Sequence, residues 1–187
     1  IISISSATTE NLRKYIKISC PIDTISNGID VERYSAAVPV ERKNIGCKND
    51  TFLLMMVAGF RYQKDQDTII RALTLLPKNV QLCLVGDGDR RVECKELVKR
   101  LNLEERVVFT GVRSDIPNVL KAADVVVMSS HLEGFGLAAV EGMAAGKPVV
   151  ASDVVGLRDI VKNYGCVFPQ GDERRLAEIV ERLKNDS

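Results

Sequence analysis

Two carboxylates, Glu133 and Glu141, stand eight positions apart in the stretch Ser130-His131-Leu132-Glu133-Gly134-Phe135-Gly136-Leu137-Ala138-Ala139-Val140-Glu141-Gly142-Met143-Ala144-Ala145-Gly146-Lys147-Pro148. Gly134 and Gly136 permit a tight turn and close approach of a ligand to the backbone. Residues 137–145 are rich in helix formers, and Gly146 and Pro148 end the helix they predict. The N–H groups near Gly136, Leu137 and Ala138 then lack intrahelical acceptors and lie at the positive end of the helix dipole, where a phosphate is stabilised. Glu141, roughly one and a half turns into that helix, is within reach of hydroxyls flanking the phosphate. Glu133, on the loop before the helix, suits a polyol. The chemistry is that of a phosphate-and-sugar site.

Something must hold this loop and helix in place. Asp124-Val125-Val126-Val127-Met128 is a short, continuously apolar run suited to a strand buried on both faces. It ends at Ser129-Ser130, which puts Glu133 at the C-terminal edge of a sheet, where open α/β folds bind ligands. The same alternation runs through the chain. Strands are predicted at 51–58, 81–85, 106–110, 124–128 and 148–151, with a sixth at 167–168. Helical candidates lie between them: 67–76 carries Ile69, Ile70, Leu73 and Leu76 on one stripe, and 89–101 directs Val92, Leu97, Val98 and Leu101 toward a core. This pattern predicts an α/β fold, a Rossmann-like, doubly wound parallel sheet with helices on both faces. Residues 38–50, polar and rich in Lys and Asn, read as a linker. No internal repeat or low-complexity segment interrupts the pattern.

Leu84-Val85-Gly86-Asp87-Gly88-Asp89-Arg90-Arg91 follows a predicted strand and contains Gly-x-Gly, but Arg91 occupies the place of the third glycine of a dinucleotide fingerprint. A tight turn leading into a helix accounts for it without a ligand. His131 reads as a local hydrogen-bonding loop residue, and Asp124 as a strand-start residue.

Glu133 fused to Gly-Phe-Gly-Leu, and Glu141 fused to Gly-Met-Ala-Ala-Gly-Lys-Pro-Val-Val-Ala-Ser, give the segment its identity. Together they resemble the C-terminal, donor-binding half of the family 4 retaining glycosyltransferases, group 1 glycosyl transferases of GT-B fold. Ile25-Ser26-Asn27-Gly28-Ile29-Asp30 is similar to the Asn-Gly-Ile/Val-Asp segment at which these enzymes enter their second domain, with an aromatic following at Tyr34. Residues 1–12 are similar to the last strand and helix of their N-terminal domain. The resemblance thus implies a remnant of the acceptor domain and linker over 1–26 and a nucleotide-sugar donor domain over 27–187. With no Met at its start, the chain reads as an excised piece.

The resemblance also implies roles. Glu141 holds the ribose hydroxyls, Glu133 contacts the transferred sugar, and the N–H groups of Gly136, Leu137 and Ala138 bind the diphosphate together with Lys64. Phe135 packs to fix the loop, with its backbone near the sugar. The turn at Gly86 lies near the donor, and Val112 and Arg113, after Gly111, line the base pocket largely through backbone atoms, so UDP and GDP both stay open. Arg113 equally suits a surface pair with Asp115. Family members commonly place an arginine five residues before the lysine. Gly59 stands there in this chain, and Arg61 is the nearest substitute. Solvated loop cations are the competing reading for Lys64 and Arg61.

On this resemblance the reaction is transfer of a hexose from a nucleotide-diphospho-sugar to a glycan or lipid-linked acceptor, with retention of configuration. No metal and no cofactor beyond the donor substrate is implied. Polysaccharide biosynthesis at a cytoplasmic site is implied, with the full-length protein peripheral to the inner face of the membrane. An isolated donor half is expected to bind nucleotide and to transfer little. Two other classes fit the same architecture: a nucleotide-sugar epimerase, which needs acid–base residues, and a non-catalytic binding or scaffolding domain that keeps the fold without turnover, a reading raised by Gly59 in the arginine position.

Bulk composition agrees. The 187 residues are 45% hydrophobic and 27% charged with net charge +1, enough to bury a core and too balanced for a nucleic-acid binder. No apolar run approaches the ~20 residues that span a bilayer, and no signal peptide is read at the start. Cys20, Cys47, Cys83, Cys94 and Cys166 are scattered without metal-ligand spacing and read as reduced, mostly buried thiols.

Overall fold

The computed structural model describes residues 1–186. An N-terminal unit comprises β1 (Ile2–Ser3), α1 (Ser6–Tyr15) and β2 (Asp23–Thr24), with β1 and β2 paired in parallel as a separate two-stranded sheet. A short helix, α2 (Val31–Ser35), leads into the main layer. There follow β3 (Phe52–Val57), α3 (Gln66–Leu75), β4 (Val80–Val85), α4 (Arg91–Arg100), β5 (Val107–Gly111), α5 (Ile116–Ala122), β6 (Val125–Met128), α6 (Leu137–Ala144), β7 (Val149–Ser152), α7 (Arg158–Val161), β8 (Cys166–Phe168) and α8 (Glu173–Asn185).

The last six strands form one parallel sheet in the order β5-β4-β3-β6-β7-β8. The chain starts in the middle at β3, winds outward to β5, then crosses back to β6 and winds the other way. The switch therefore falls between β3 and β6, which is where such sheets open to ligands.

The apolar strands divide by the two-residue period of the pleat. Leu54 and Met56 of β3 join Ile69, Ile70 and Leu73 of α3 and Leu176, Ile179 and Val180 of α8 in one core. Leu53 and Met55 face the opposite side, with Tyr34 of α2, Val119 and Leu120 of α5, Ala139 of α6 and Val161 of α7. Gly142 lets α6 lie close on the sheet, since a Cβ there would stand 3.1 Å from a methyl of Val126.

Two expectations are corrected. Val92 is 66% exposed; in the first turn of α4 its face is turned outward, and Cys94 joins Leu97 and Val98 in the core instead. Residues 38–50 are not a loose linker. They carry a 3₁₀ turn at Arg42–Ile45 that buries Ile45, and Cys47 is buried after it. The Arg42 guanidinium reaches the carbonyls of Ala122 and Thr51 and pairs with Asp124 at 2.9 Å. Asp124 also accepts the N–H of Leu53 at 2.7 Å, so it joins β3 and β6 at the sheet edge opposite the cleft. Cys47, Cys83 and Cys94 are buried free thiols, while Cys20 is exposed.

Candidate functional site

A cleft of about 490 Å³ opens where β3 and β6 diverge. Gly59 and Lys64 reach it from the β3 side; Glu133, the turn 134–136 and Glu141 reach it from the β6–α6 side. Phe135, Leu137 and Ala138 also line it.

The β6–α6 loop is shaped by its glycines and by buried hydroxyls. Gly136 has φ +87° and precedes α6 directly; a Cβ there would approach Leu157 Cδ2 to 2.5 Å. Gly156 packs against the Glu133 carbonyl from below, where any side chain would collide. Ser129 Oγ donates to the Asp65 carbonyl and Ser152 Oγ to the Ser130 carbonyl, each at 2.6 Å, so the ends of β6 and β7 are tied to neighbouring loops. From the N-terminal unit, Ser5 Oγ donates to the Gly134 carbonyl at 2.7 Å.

No side chain caps α6, and its first turn contains no acidic residue. The Ala139 N–H turns back to the Gly136 carbonyl at 2.9 Å, while those of Leu137 and Ala138 precede it at the cleft wall. The helix thus offers an uncapped positive end to an anion.

Lys64 closes a 3₁₀ turn, Tyr62–Lys64, held by Asp65 in the left-handed region at φ +48°. Asp65 is buried and caps α3 through Thr68, accepting its hydroxyl at 2.6 Å. Desolvation raises its carboxyl above the usual range, against the lowering effect of that hydrogen bond. Lys64 Nζ lies 2.5 Å from Glu133 Oε2, with the two side chains 25% and 14% exposed. Glu133 Oε1 accepts the Gly134 N–H at 3.2 Å.

Glu141 has a different neighbour. The hydroxyl of Tyr34, a residue only 7% exposed, donates to Glu141 Oε1 at 2.6 Å. Burial first, then the hydrogen bond and charge of Glu141, push the Tyr34 phenol up to about 12. It is therefore a neutral donor at physiological pH.

The remaining candidates lie around this centre. Arg61 is exposed, and its Nε is 3.9 Å from the point a Cβ on Gly59 would occupy, so the guanidinium folds back over the side-chain-less position. Gly86 has φ +132° and packs on the Ala58 carbonyl; a Cβ on Gly88 would stand 2.9 Å from the Phe60 nitrogen. The Gly-x-Gly turn thus buttresses the loop carrying Arg61 and Lys64 and is not itself part of the cleft wall. Val112 is 80% exposed. Arg113 forms a two-pronged pair with Asp115 at 2.8 and 2.7 Å, the surface pairing its sequence position allowed. His131 hydrogen-bonds Gln170 at 2.9 Å and lies 3.5 Å from Asp65.

Two Asp-x-Asp triplets, Asp65-Gln66-Asp67 and Asp87-Gly88-Asp89, lie nearby in sequence. Asp65 caps α3, Asp67 pairs with Arg90, and Asp87 pairs with Arg91. Among the described residues, no group of three or more His, Cys, Asp or Glu is arranged to hold a metal ion. Among them, too, no helix is long and apolar enough to cross a membrane.

A six-stranded parallel sheet with an uncapped helix terminus, a lysine and two carboxylates at its switch point defines the Rossmann-like C-terminal half of a GT-B fold. The chain belongs to the group 1 glycosyl transferases, whose family model matches residues 38–187. It is 35% identical over 177 residues to an uncharacterized glycosyltransferase of Methanocaldococcus jannaschii, covering 88% of this chain and 45% of that one. It is 34% identical over 177 residues to the Escherichia coli UDP-Gal:alpha-D-GlcNAc-diphosphoundecaprenol alpha-1,3-galactosyltransferase, covering 88% and 46%. The crystal structure of Anabaena HepE in complex with UDP and glucose superposes with a TM-score of 0.90 at 30% identity, over 99% of this chain and 53% of that chain. The chain thus spans about half the length of these relatives.

Proposed function

We propose that this chain is the donor-binding half of a retaining hexosyltransferase that takes a uridine or guanosine diphospho-sugar. The observation that carries the reading is convergence: Lys64, the amino end of α6, Glu133 and Glu141 all face one cleft at the switch point. Glu141 holds the ribose hydroxyls, the N–H groups of Gly136, Leu137 and Ala138 with Lys64 hold the diphosphate, and Glu133 contacts the sugar. Arg61, folded over Gly59, supplies a second cation when its flexible side chain turns into the cleft. The leaving diphosphate is then stabilised by fixed charge and dipole, each cationic donor worth ~10²–10³ in rate. The uridine diphosphate in the HepE complex supports the nucleotide class. Residues 1–26 are read as the tail of the acceptor domain, which Ser5 anchors to Gly134.

Calorimetric titration of the chain with UDP, GDP and their hexose conjugates tests this. Binding of one diphosphate is expected, weakened about ten- to a hundredfold by Glu141→Ala, the cost of hydrogen bonds to a charged group. No binding of any of them would leave the scaffold reading, and inversion of the sugar at one carbon would leave the epimerase reading.

A further inference from the structure

We infer that Tyr34 is a positioning residue for nucleotide recognition: its hydroxyl fixes one oxygen of Glu141 so that the other is presented to the ribose diol. The inference rests on the ribose role proposed for Glu141 and adds a residue outside the cleft wall.

The geometry has three parts. Tyr34 lies on α2, a single turn whose start is fixed by Asp30, which accepts the Arg33 N–H at 3.0 Å. Its ring is buried in the core between the sheet and α5 and α6, so the hydroxyl arrives at Glu141 from the protein side. At 2.6 Å it occupies Oε1, and Oε2 is the carboxylate oxygen without a hydrogen-bond donor among the described residues. A glutamate on a helix turns about three side-chain bonds, and an unheld one spreads over many rotamers. A hydrogen bond from a buried phenol removes most of that freedom before the ligand arrives, the usual source of preorganisation.

The chemistry of the partner matters as much as its position. A lysine in place of Tyr34 would hold Glu141 as firmly but cancel its charge, as Lys64 does for Glu133. The phenol holds the carboxylate and leaves it anionic, and an anionic acceptor makes the stronger bond to a hydroxyl. The same hydrogen bond ties α2, a few residues after Asn27 of the cleft, to α6.

Phenylalanine keeps the ring and removes only the hydroxyl. Calorimetry of Tyr34→Phe is expected to show UDP binding weakened about fivefold, a fraction of the effect of a charged hydrogen bond. Binding of 2′,3′-dideoxy-UDP, which has no diol to present to Glu141, is expected to be the same in Tyr34→Phe and wild type. In a Glu141→Ala background the Tyr34→Phe change is expected to add nothing. A loss of equal size for UDP and the dideoxy analogue would mean a general packing defect and overturn the inference. Unchanged UDP affinity in Tyr34→Phe, with Glu141→Ala impaired, would also overturn it while leaving the ribose role standing. An unimpaired Glu141→Ala variant would instead remove the ribose reading itself.

Discussion

Glu133 and Glu141 are the same side chain on the same cleft, set apart by what holds them. Glu133 is on a glycine-shaped loop and is paired with the Lys64 ammonium at 2.5 Å. Glu141 is on a helix and is held by the neutral Tyr34 hydroxyl at 2.6 Å. The pairing with Lys64 stores a cation inside the cleft without a net positive charge, so the diphosphate of the proposed donor would compete with Glu133 for it. The pairing with Tyr34 stores an acceptor with its charge intact. On the proposed reading, Glu133 yields as the donor binds and Glu141 stays where it is.

Removing Lys64 breaks the comparison most severely. Lys64→Ala takes away the ammonium and leaves Glu133, mostly buried, facing the diphosphate with its charge uncompensated. UDP affinity is expected to fall about a hundredfold or more, through lost attraction and new repulsion at short range. Adding Glu133→Gln to that variant should restore part of the loss, which calorimetry would show as a non-additive cycle. Glu133→Gln alone sharpens the contrast in the other direction. With Lys64 released from its partner, UDP is expected to bind a few-fold tighter, while the advantage of the hexose conjugate over UDP disappears. If both ligands weakened equally, Glu133 would be serving the diphosphate and not the sugar.

The sheet could be read from sequence because parallel strands buried on both faces write themselves as apolar runs. The β6 strand and the α3 stripe of Ile69, Ile70, Leu73 and Leu76 fall where periodicity puts them. Val92 does not, because a helix of ten residues with few apolar positions leaves the choice of buried face to its neighbours. The packing of residues 38–50 was hidden in a similar way: Arg42 and Cys47 look like polar linker until Asp124 and the sheet edge are folded against them. In the site, the loop glycines and both glutamates were visible as a local motif. The ion pair between Lys64 and Glu133 spans 69 positions, and the Tyr34 hydroxyl finds Glu141 across 107. Such long-range partners carry no spacing signal. In the sequence Tyr34 stands out only as an aromatic following Asn-Gly-Ile-Asp, which identifies a ring and not a hydroxyl.

The last test concerns the Tyr34 pair and is silent at neutral pH. The phenol is pushed up to about 12, first by desolvation and then by Glu141, from an ordinary value of 10.0. The folded state therefore keeps the proton that the unfolded chain gives up. Between those two values the native state binds more protons, so stability falls as pH rises; the contribution is complete below about 10 and lost above about 12. Chemical denaturation followed from pH 9 to 12 is expected to show a steeper decline for wild type than for Tyr34→Phe, with the two curves running parallel below 10. Parallel curves throughout would mean that the phenol is solvated in solution and not buried against Glu141. The contrast between a carboxylate held by charge and one held by a neutral donor would then be lost.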